Sequence, residues 1–218
     1  MTRKIERNNT TEEVNARIEN AYKVLPESTH KVINAIAAKD AYTAGHCIRV
    51  AILVSRICEY ECFSFEKSYK YFVAAALHDI GKLSIRNKVL KKPAGLTDEE
   101  FAEMKEHTVA GQEMAKLFGV ANETILAAAM MHHQHYAGGR RSYPFEIEGN
   151  SIPEISRIVA VADAVDAILS NRVYDKARSA LDCQLQVIRG LGTQFDPKFG
   201  KCVLMHWKDF VGGLYPQV

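Results

Sequence analysis

The residues best equipped for chemistry are histidines and aspartates placed where apolar helices run out. In Phe72-Val-Ala-Ala-Ala-Leu-His78-Asp79-Ile-Gly81-Lys82, apolar residues lead straight into an adjacent imidazole and carboxylate. Burying an unpaired carboxylate costs several kcal/mol, a large part of a domain's net stability. A divalent metal removes that cost: the carboxylate can bridge two ions while the neighbouring imidazole binds one. Gly81 is expected to release the chain from helical geometry, leaving Lys82 free to reach an anionic ligand. Taken alone, the stretch also fits a helix C-terminus whose His and Lys complement the dipole and whose Asp is solvated.

The pattern recurs. Leu126-Ala-Ala-Ala-Met-Met runs into His132-His133. Adjacent histidines differ by about 100° around a helix, so both reach one ion only at a helix end or shared edge. Asp163 and Asp166 interrupt the apolar run from Ile158 to Leu169, and a buried Asp there needs a strong partner. His46 falls on the same stripe as Val50, Leu53 and Ile57, and His107 lies on a fifth helix. One such residue is ordinarily a hydrogen-bonded core group. Together they form a set suited to two six-coordinate ions: imidazoles, a bridging carboxylate and a terminal carboxylate.

The elements that must position these residues all read as helices. Thr10 and Glu13 suggest a capping box, followed by a stripe of Val14, Ile18, Ala21 and Leu25 that Pro26 ends. A second helix is predicted over 28–39, and Thr43 is the expected N-cap of the helix that carries His46. The apolar helix 66–77 follows, then a basic loop over 83–96. Thr97 and Glu100 make another capping box, opening a helix with Phe101, Met104, His107, Met114 and Leu117 on it and Gly111 allowing a close approach. Asn122 caps the helix ending at His132-His133. The loop 134–150 is long, polar and glycine-rich, a length often tied to function. Pro153 opens the helix with Asp163, and two further helices are predicted over 179–190 and 197–211, with Asp182, Gln184 and Gln186 marking an exposed face. No β pattern is present. The fold class is all-α: a single helical domain over 28–218 with a short N-terminal helical extension over 1–27, which is expected to pack on it.

Bulk properties exclude other classes. At 218 residues, with 47% hydrophobic and 25% charged, the chain has the makeup of an ordinary globular domain. A net charge of +2 argues for neither nucleic acid nor an anionic membrane as partner. The five cysteines are odd in number and lack a Cys-x-x-Cys spacing, so buried reduced thiols and a cytoplasmic setting are expected. No secretory signal and no membrane-length apolar run is found.

The order and spacing of these residues resemble the HD superfamily of metal-dependent phosphohydrolases. The nearer resemblance is to its HD-GYP branch, bacterial phosphodiesterases of cyclic di-GMP and related cyclic dinucleotides. It extends from about Ile36 to Phe199. It rests on Asp40-Ala-Tyr-Thr-Ala-Gly-His46, His78-Asp-Ile-Gly-Lys82, the stretch from Leu90 through Lys92-Pro93 and Leu96-Thr97 to His107 and Gly111, His132-His133, the run with Asp163, and Phe195-Asp-Pro197.

The resemblance implies a helical HD-domain bundle and a binuclear centre. His46, His78, Asp79 and Asp163 would hold one ion, and Asp79 would bridge to a second held by His107, His132 and His133. Lys82 would contact a phosphate oxygen, making Asp79 and Lys82 the expected catalytic residues. Tyr42 stands where some members carry a Glu for a third metal, so two divalent ions are expected, and the His/carboxylate set suits iron or manganese. The signature loop departs from the family's approximate HHE-x-x-DG-x-GYP. Gln134 replaces the Glu, Ala137 the Asp and Ser142 the first Gly of the tripeptide; two residues are inserted, while Tyr143 and Pro144 remain. Lys82, Arg140, Arg141 and Tyr143 are the substrate-binding candidates, with the two Arg able to take a phosphate bidentately. The expected activity is hydrolysis of a cyclic dinucleotide. The alternatives are a phosphohydrolase acting on another nucleotide or phosphate ester, and a catalytically weak signalling module that binds a nucleotide or a protein. The expected partner is a small phosphodiester substrate, with a homodimer or a separate signalling chain also open.

Overall fold

The computed structural model describes residues 11–170 and 179–215. The Thr10 capping box lies outside the described residues. Eleven helices are described: α1 (Thr11–Lys23), α2 (Glu27–Lys39), α3 (Ala41–Tyr60), α4 (Phe65–Ala76), α5 (Asn87–Leu90), α6 (Asp98–Leu117), α7 (Glu123–Met131), α8 (Glu154–Leu169), α9 (Ala180–Gly190), α10 (Pro197–Met205) and α11 (Trp207–Val211). No strand is found among the described residues, so the all-α expectation holds.

Helix α3 is the axis of the core. Its Cys47, Val50, Leu53, Val54, Ile57 and Cys58 are inaccessible to solvent, and α1, α2, α4, α8, α10 and α11 all pack against it. It begins at Asp40 rather than at the expected Thr43. The Asp40 carboxylate accepts from the Thr43 N–H at 3.0 Å and from its hydroxyl. Both residue types cap helices well, but a carboxylate three residues earlier satisfies the open N–H groups and adds charge at the positive end of the helix.

Helix α1 lays Val14 on the domain and is fastened to α2 by His30. That ring stacks on Tyr22 at 4.3 Å, and its Nε2 lies 2.8 Å from the Tyr22 carbonyl. Helix α4 ends at Ala76, and the chain then tightens into a 3-10 turn, Ile80–Leu83, against α6. The helix has thus ended before Gly81, so that glycine does not release it. Its role is proximity: a Cβ there would lie 1.8 Å from the His107 carbonyl oxygen and 2.7 Å from the Gly111 nitrogen. Helix α6 has the predicted Thr97–Glu100 capping box, and Asn122 caps α7 as expected.

Two expectations at the C-terminal side are corrected. The single helix 197–211 is broken at His206, whose ring stacks on Tyr60 with centroids 4.0 Å apart. Of the residues expected on the exposed face of α9, Asp182 is exposed but Gln184 and Gln186 are half-buried; Leu181 and Ile188 are exposed instead, while Cys183 and Val187 face the core. Side-chain type misleads there because the burial of α9 follows its helical phase. All five cysteines are free; Cys62, placed a turn after Cys58 in the sequence, has left the helix and is exposed. No described helix is long and apolar enough to cross a membrane.

Candidate metal centre

The ends of α4 and α7 and the interiors of α3, α6 and α8 converge on Asp79. Its carboxylate is almost wholly buried, at 1% residue exposure. Oδ2 faces one group of ligand atoms: His46 Nε2 at 3.5 Å and His78 Nε2 at 3.4 Å. Asp163 Oδ1 completes that side, 3.1 Å from His46 Nε2 and 4.0 Å from His78 Nε2. Oδ1 of Asp79 faces the other group, with His107 Nε2 at 3.5 Å and His132 Nε2 at 3.9 Å. His107, His132 and His133 present ligand atoms within 4.8 Å of one another, as do His46, His78 and Asp79.

The imidazoles are held by their outer nitrogens. His78 Nδ1 lies 2.8 Å from the Ala75 carbonyl, His107 Nδ1 2.6 Å from that of Met104 and His132 Nδ1 2.8 Å from that of Ala128. A carbonyl only accepts, so each Nδ1 donates and each Nε2 turns a lone pair inward. His46 differs, because its Nδ1 meets Asp166 Oδ2 at 2.7 Å. Asp166, fully buried, also accepts from Arg49 Nε at 2.6 Å, Arg49 Nη2 at 3.0 Å and the Tyr215 hydroxyl at 2.7 Å.

The donor set fits divalent cations. His78 Nε2 and Asp79 Oδ1 are buried with no hydrogen-bond partner, and buried polar atoms rarely stay unpaired without an ion or water to meet them. His107 Nε2 and His132 Nε2 lie 3.4 Å apart, both with their protons placed on the opposite nitrogen. Burial lowers His107 to about 4 and, with help from His107, lowers His133 to about 3; it also holds His132 far below its ordinary range. Burial opposes the charge on Asp79 and Asp163. Lys82 and His78 overcome it for Asp79, and His46 for Asp163, so both lie well below the usual carboxylate range. At His107, His132 and His133, neutral imidazoles beside ionised carboxylates are the protonation state a metal needs.

Two clefts open onto this cluster. One, of about 700 Å³, reaches His46, Asp79, Lys82 and His107 past Lys91 and Phe101. The other, of about 610 Å³, reaches His132 and His133 past Arg141, Gln186 and Arg189. His133, Tyr143, Asp163 and Ala167 border both, so they form the wall between them.

Residues 43–168, more than half of the chain, match the HD domain family. The chain belongs to the HD domain family. A probable cyclic di-GMP phosphodiesterase of Vibrio cholerae is 32% identical over 188 residues, covering 79% of this chain and 42% of its own length. A 3'3'-cGAMP-specific phosphodiesterase of the same organism is 30% identical over 190 residues, covering 85% of this chain and 35% of its own. The chain thus spans less than half the length of these curated relatives. Among solved structures, Bd1817, an HDG"Y"P protein from Bdellovibrio bacteriovorus, superposes with a TM-score of 0.62 at 15% identity, covering 91% of this chain and 65% of that one. The HD-GYP resemblance of the sequence agrees with both kinds of relative. HD phosphohydrolases depend on metal, and this HD domain has the His/Asp clusters able to bind it.

Every residue expected as a ligand lies at the HD centre: His46, His78, Asp79, His107, His132, His133 and Asp163. Lys82 is there too, but it is not free: its ammonium donates to Asp79 Oδ2 at 2.6 Å. Arg141 and Tyr143 border the clefts. Arg140 does not; it borders a separate cleft with Gly138, Ser142 and Phe145. Consecutive side chains on a turning backbone point apart, so the structure does not pair the two arginines. Sequence reasoning missed Arg49 and Tyr215 and left Asp166 unplaced. Arg49, three residues after His46, was a signal for a buried counter-charge on the same helix face. Nothing in the sequence pointed to Tyr215.

Proposed function

We propose that this HD domain hydrolyses a phosphodiester bond of a cyclic dinucleotide at a centre of two divalent ions. The observation that carries this reading is Asp79, whose two oxygens face two different imidazole groups. His46, His78, Asp79 and Asp163 would hold one ion, and Asp79, His107, His132 and His133 the other, with iron or manganese suited to the ligand set. Such ions, when bound, supply Lewis acidity toward a phosphoryl oxygen and lower the pKa of water.

The protein's own groups do the rest. The carbonyls of Ala75, Met104 and Ala128 keep the ligand lone pairs directed inward. Lys82 holds its charge although burial opposes it, because Asp79 favours the ammonium. A phosphoryl oxygen entering the larger cleft would share that ammonium with Asp79, which places positive charge where negative charge grows in the transition state. Tyr143, in the wall between the two clefts, and Arg141, in the smaller one, orient the substrate. Relatives named for cyclic di-GMP and for 3'3'-cGAMP support the cyclic dinucleotide class.

The test is product chromatography after incubating cyclic di-GMP and 3'3'-cGAMP with manganese- or ferrous-loaded protein, beside Asp79→Ala. Linear dinucleotide or mononucleotide from the wild type alone supports the reading. No product from protein carrying two ions per chain overturns it in favour of another phosphate ester or a binding role.

A further inference from the structure

The loop between His133 and Pro144 departs from the pattern the sequence resembles at Gln134 and Ser142, and these two side chains are bonded to each other. The Ser142 hydroxyl donates to Gln134 Oε1 at 2.7 Å and accepts from the His135 N–H at 3.0 Å. Gln134 is buried, at 2% exposure. The outgoing limb of the loop is fixed separately: Tyr136 N–H donates to the Gln194 carbonyl at 3.2 Å and Ala137 N–H to that of Thr193 at 2.8 Å. Gly138 and Gly139 turn the tip with φ of 65° and 91°, a region open to glycine.

The returning limb has weaker backbone support. Ser142 N–H bonds within the loop, to Gly139, and Tyr143 N–H lies 3.5 Å from the His133 carbonyl, at the outer limit of a hydrogen bond. The Ser142 side chain is therefore the short link between this limb and the end of α7. The next residue is Tyr143, whose ring stacks on His133 with centroids 4.8 Å apart and planes 27° apart. That ring stands in the wall shared by the two clefts.

We propose that Gln134 and Ser142 are positioning residues whose hydrogen bond seats Tyr143 on His133, and that the seated ring sets how tightly a cyclic dinucleotide binds. The second half rests on the proposed function; the first does not. The bond closes the neck of the loop, so the tip can differ in length or sequence while Tyr143 keeps its place.

The test has two independent readouts. In metal-free protein, the ring-current shift of the His133 ring protons reports the stack directly. Ser142→Ala and Gln134→Ala should each lose that shift as completely as Tyr143→Ala does, and Ser142→Thr, which keeps the hydroxyl, should retain it. Retention of the shift in Ser142→Ala overturns the proposal whether or not any substrate is cleaved. In manganese-loaded protein of wild-type metal content, Ser142→Ala should raise KM for the cleaved dinucleotide about fivefold, as expected for one lost neutral hydrogen bond, with kcat little changed. In a Tyr143→Ala background, Ser142→Ala should add nothing further. Additive effects of the two changes, or a fall in kcat alone, overturn the positioning role. If the wild type cleaves neither cyclic di-GMP nor 3'3'-cGAMP, the proposed function falls while the His133 shift still decides the seat of Tyr143.

Discussion

Replacing Asp166 by Asn should weaken both the fold and the metal centre, although Asp166 faces away from the cluster. In the native protein one buried carboxylate meets three side chains: two bonds from Arg49 and one each with His46 and Tyr215. Asn removes the charge but keeps the volume. Arg49, with a side chain only 14% exposed, then retains a charge with no counter-ion. Leaving one member of a buried pair uncompensated costs about 3–5 kcal/mol, which for a chain of this size lowers the melting midpoint by roughly 6–20 °C. The second effect concerns His46. Burial alone would lower its pKa, yet hydrogen bonds to Asp163 and Asp166 raise it to about 9, and Asp166 orients the ring through Nδ1. An Asn amide can offer its NH2 to Nδ1 instead, which moves the ring proton to Nε2 and closes that ligand position. Loss of such an outer partner lowers metal affinity about 10–100-fold. Calorimetric titration with manganese and thermal melts in chelator measure the two effects separately. Asp166→Asn with a wild-type midpoint and wild-type affinity would refute the reasoning. Tyr215→Phe, which removes one bond to the ionised carboxylate but leaves the Arg49 pair intact, should cost about 1.5–3 kcal/mol and leave metal affinity nearly unchanged.

Further outcomes are expected. Asp79→Ala removes the carboxylate that faces both imidazole groups, so elemental analysis should find metal lost from both positions; full loading with two ions would contradict the bridging assignment. Gly81→Ala puts a methyl against the His107 backbone, and overpacking of that kind costs about 1–3 kcal/mol or more; an unchanged denaturation midpoint would show that α6 gives way freely. Chelator-treated protein should be most stable near neutral pH. His107 and His133 are depressed from 6.5 to about 4 and about 3, so the unfolded chain takes up protons that the fold refuses and stability falls as pH drops through that window. His46 is raised to about 9, so its contribution is complete below 6.5 and is lost as pH rises through 9; urea midpoints that stay flat from pH 4 to 9 would contradict both shifts.

The helices and the ligand types are legible in the sequence because apolar periodicity broken by His or Asp leaves a strong trace. His132 and His133 at the end of one apolar run, and His78-Asp79 at the end of another, mark a converging set by residue order alone. What periodicity does not encode is which atom of each side chain faces inward. Asp163 and Asp166 sit three residues apart on one helix, and only the packing of α8 against α3 shows that Asp163 faces the cluster while Asp166 is bound by Arg49 and Tyr215. The start of α3 is ambiguous in the sequence because Asp40 and Thr43 are both good caps, and their relation as carboxylate and recipient is a matter of backbone geometry. Gly81 reads as a helix release for a similar reason: its real contact is with α6, distant in the chain. The Gln134–Ser142 bond is invisible in the sequence because loop residues carry no periodicity, so two departures from a motif give no sign that they touch.

The two halves of the centre differ in how far they reach along the chain. His107 and His132, which meet on one side, are 25 residues apart, whereas His46 and Asp163, which meet on the other, are 117 apart (163 − 46). Closing the longer loop costs about 1.4 kcal/mol more in chain entropy, roughly tenfold in the population of closed forms. During folding, the hairpin of α6 and α7 can bring its histidines together early and locally. The other half waits until α8 has docked on α3, near the end of the process. Metal uptake by a nascent chain would then proceed in order, with the His107–His133 side competent first.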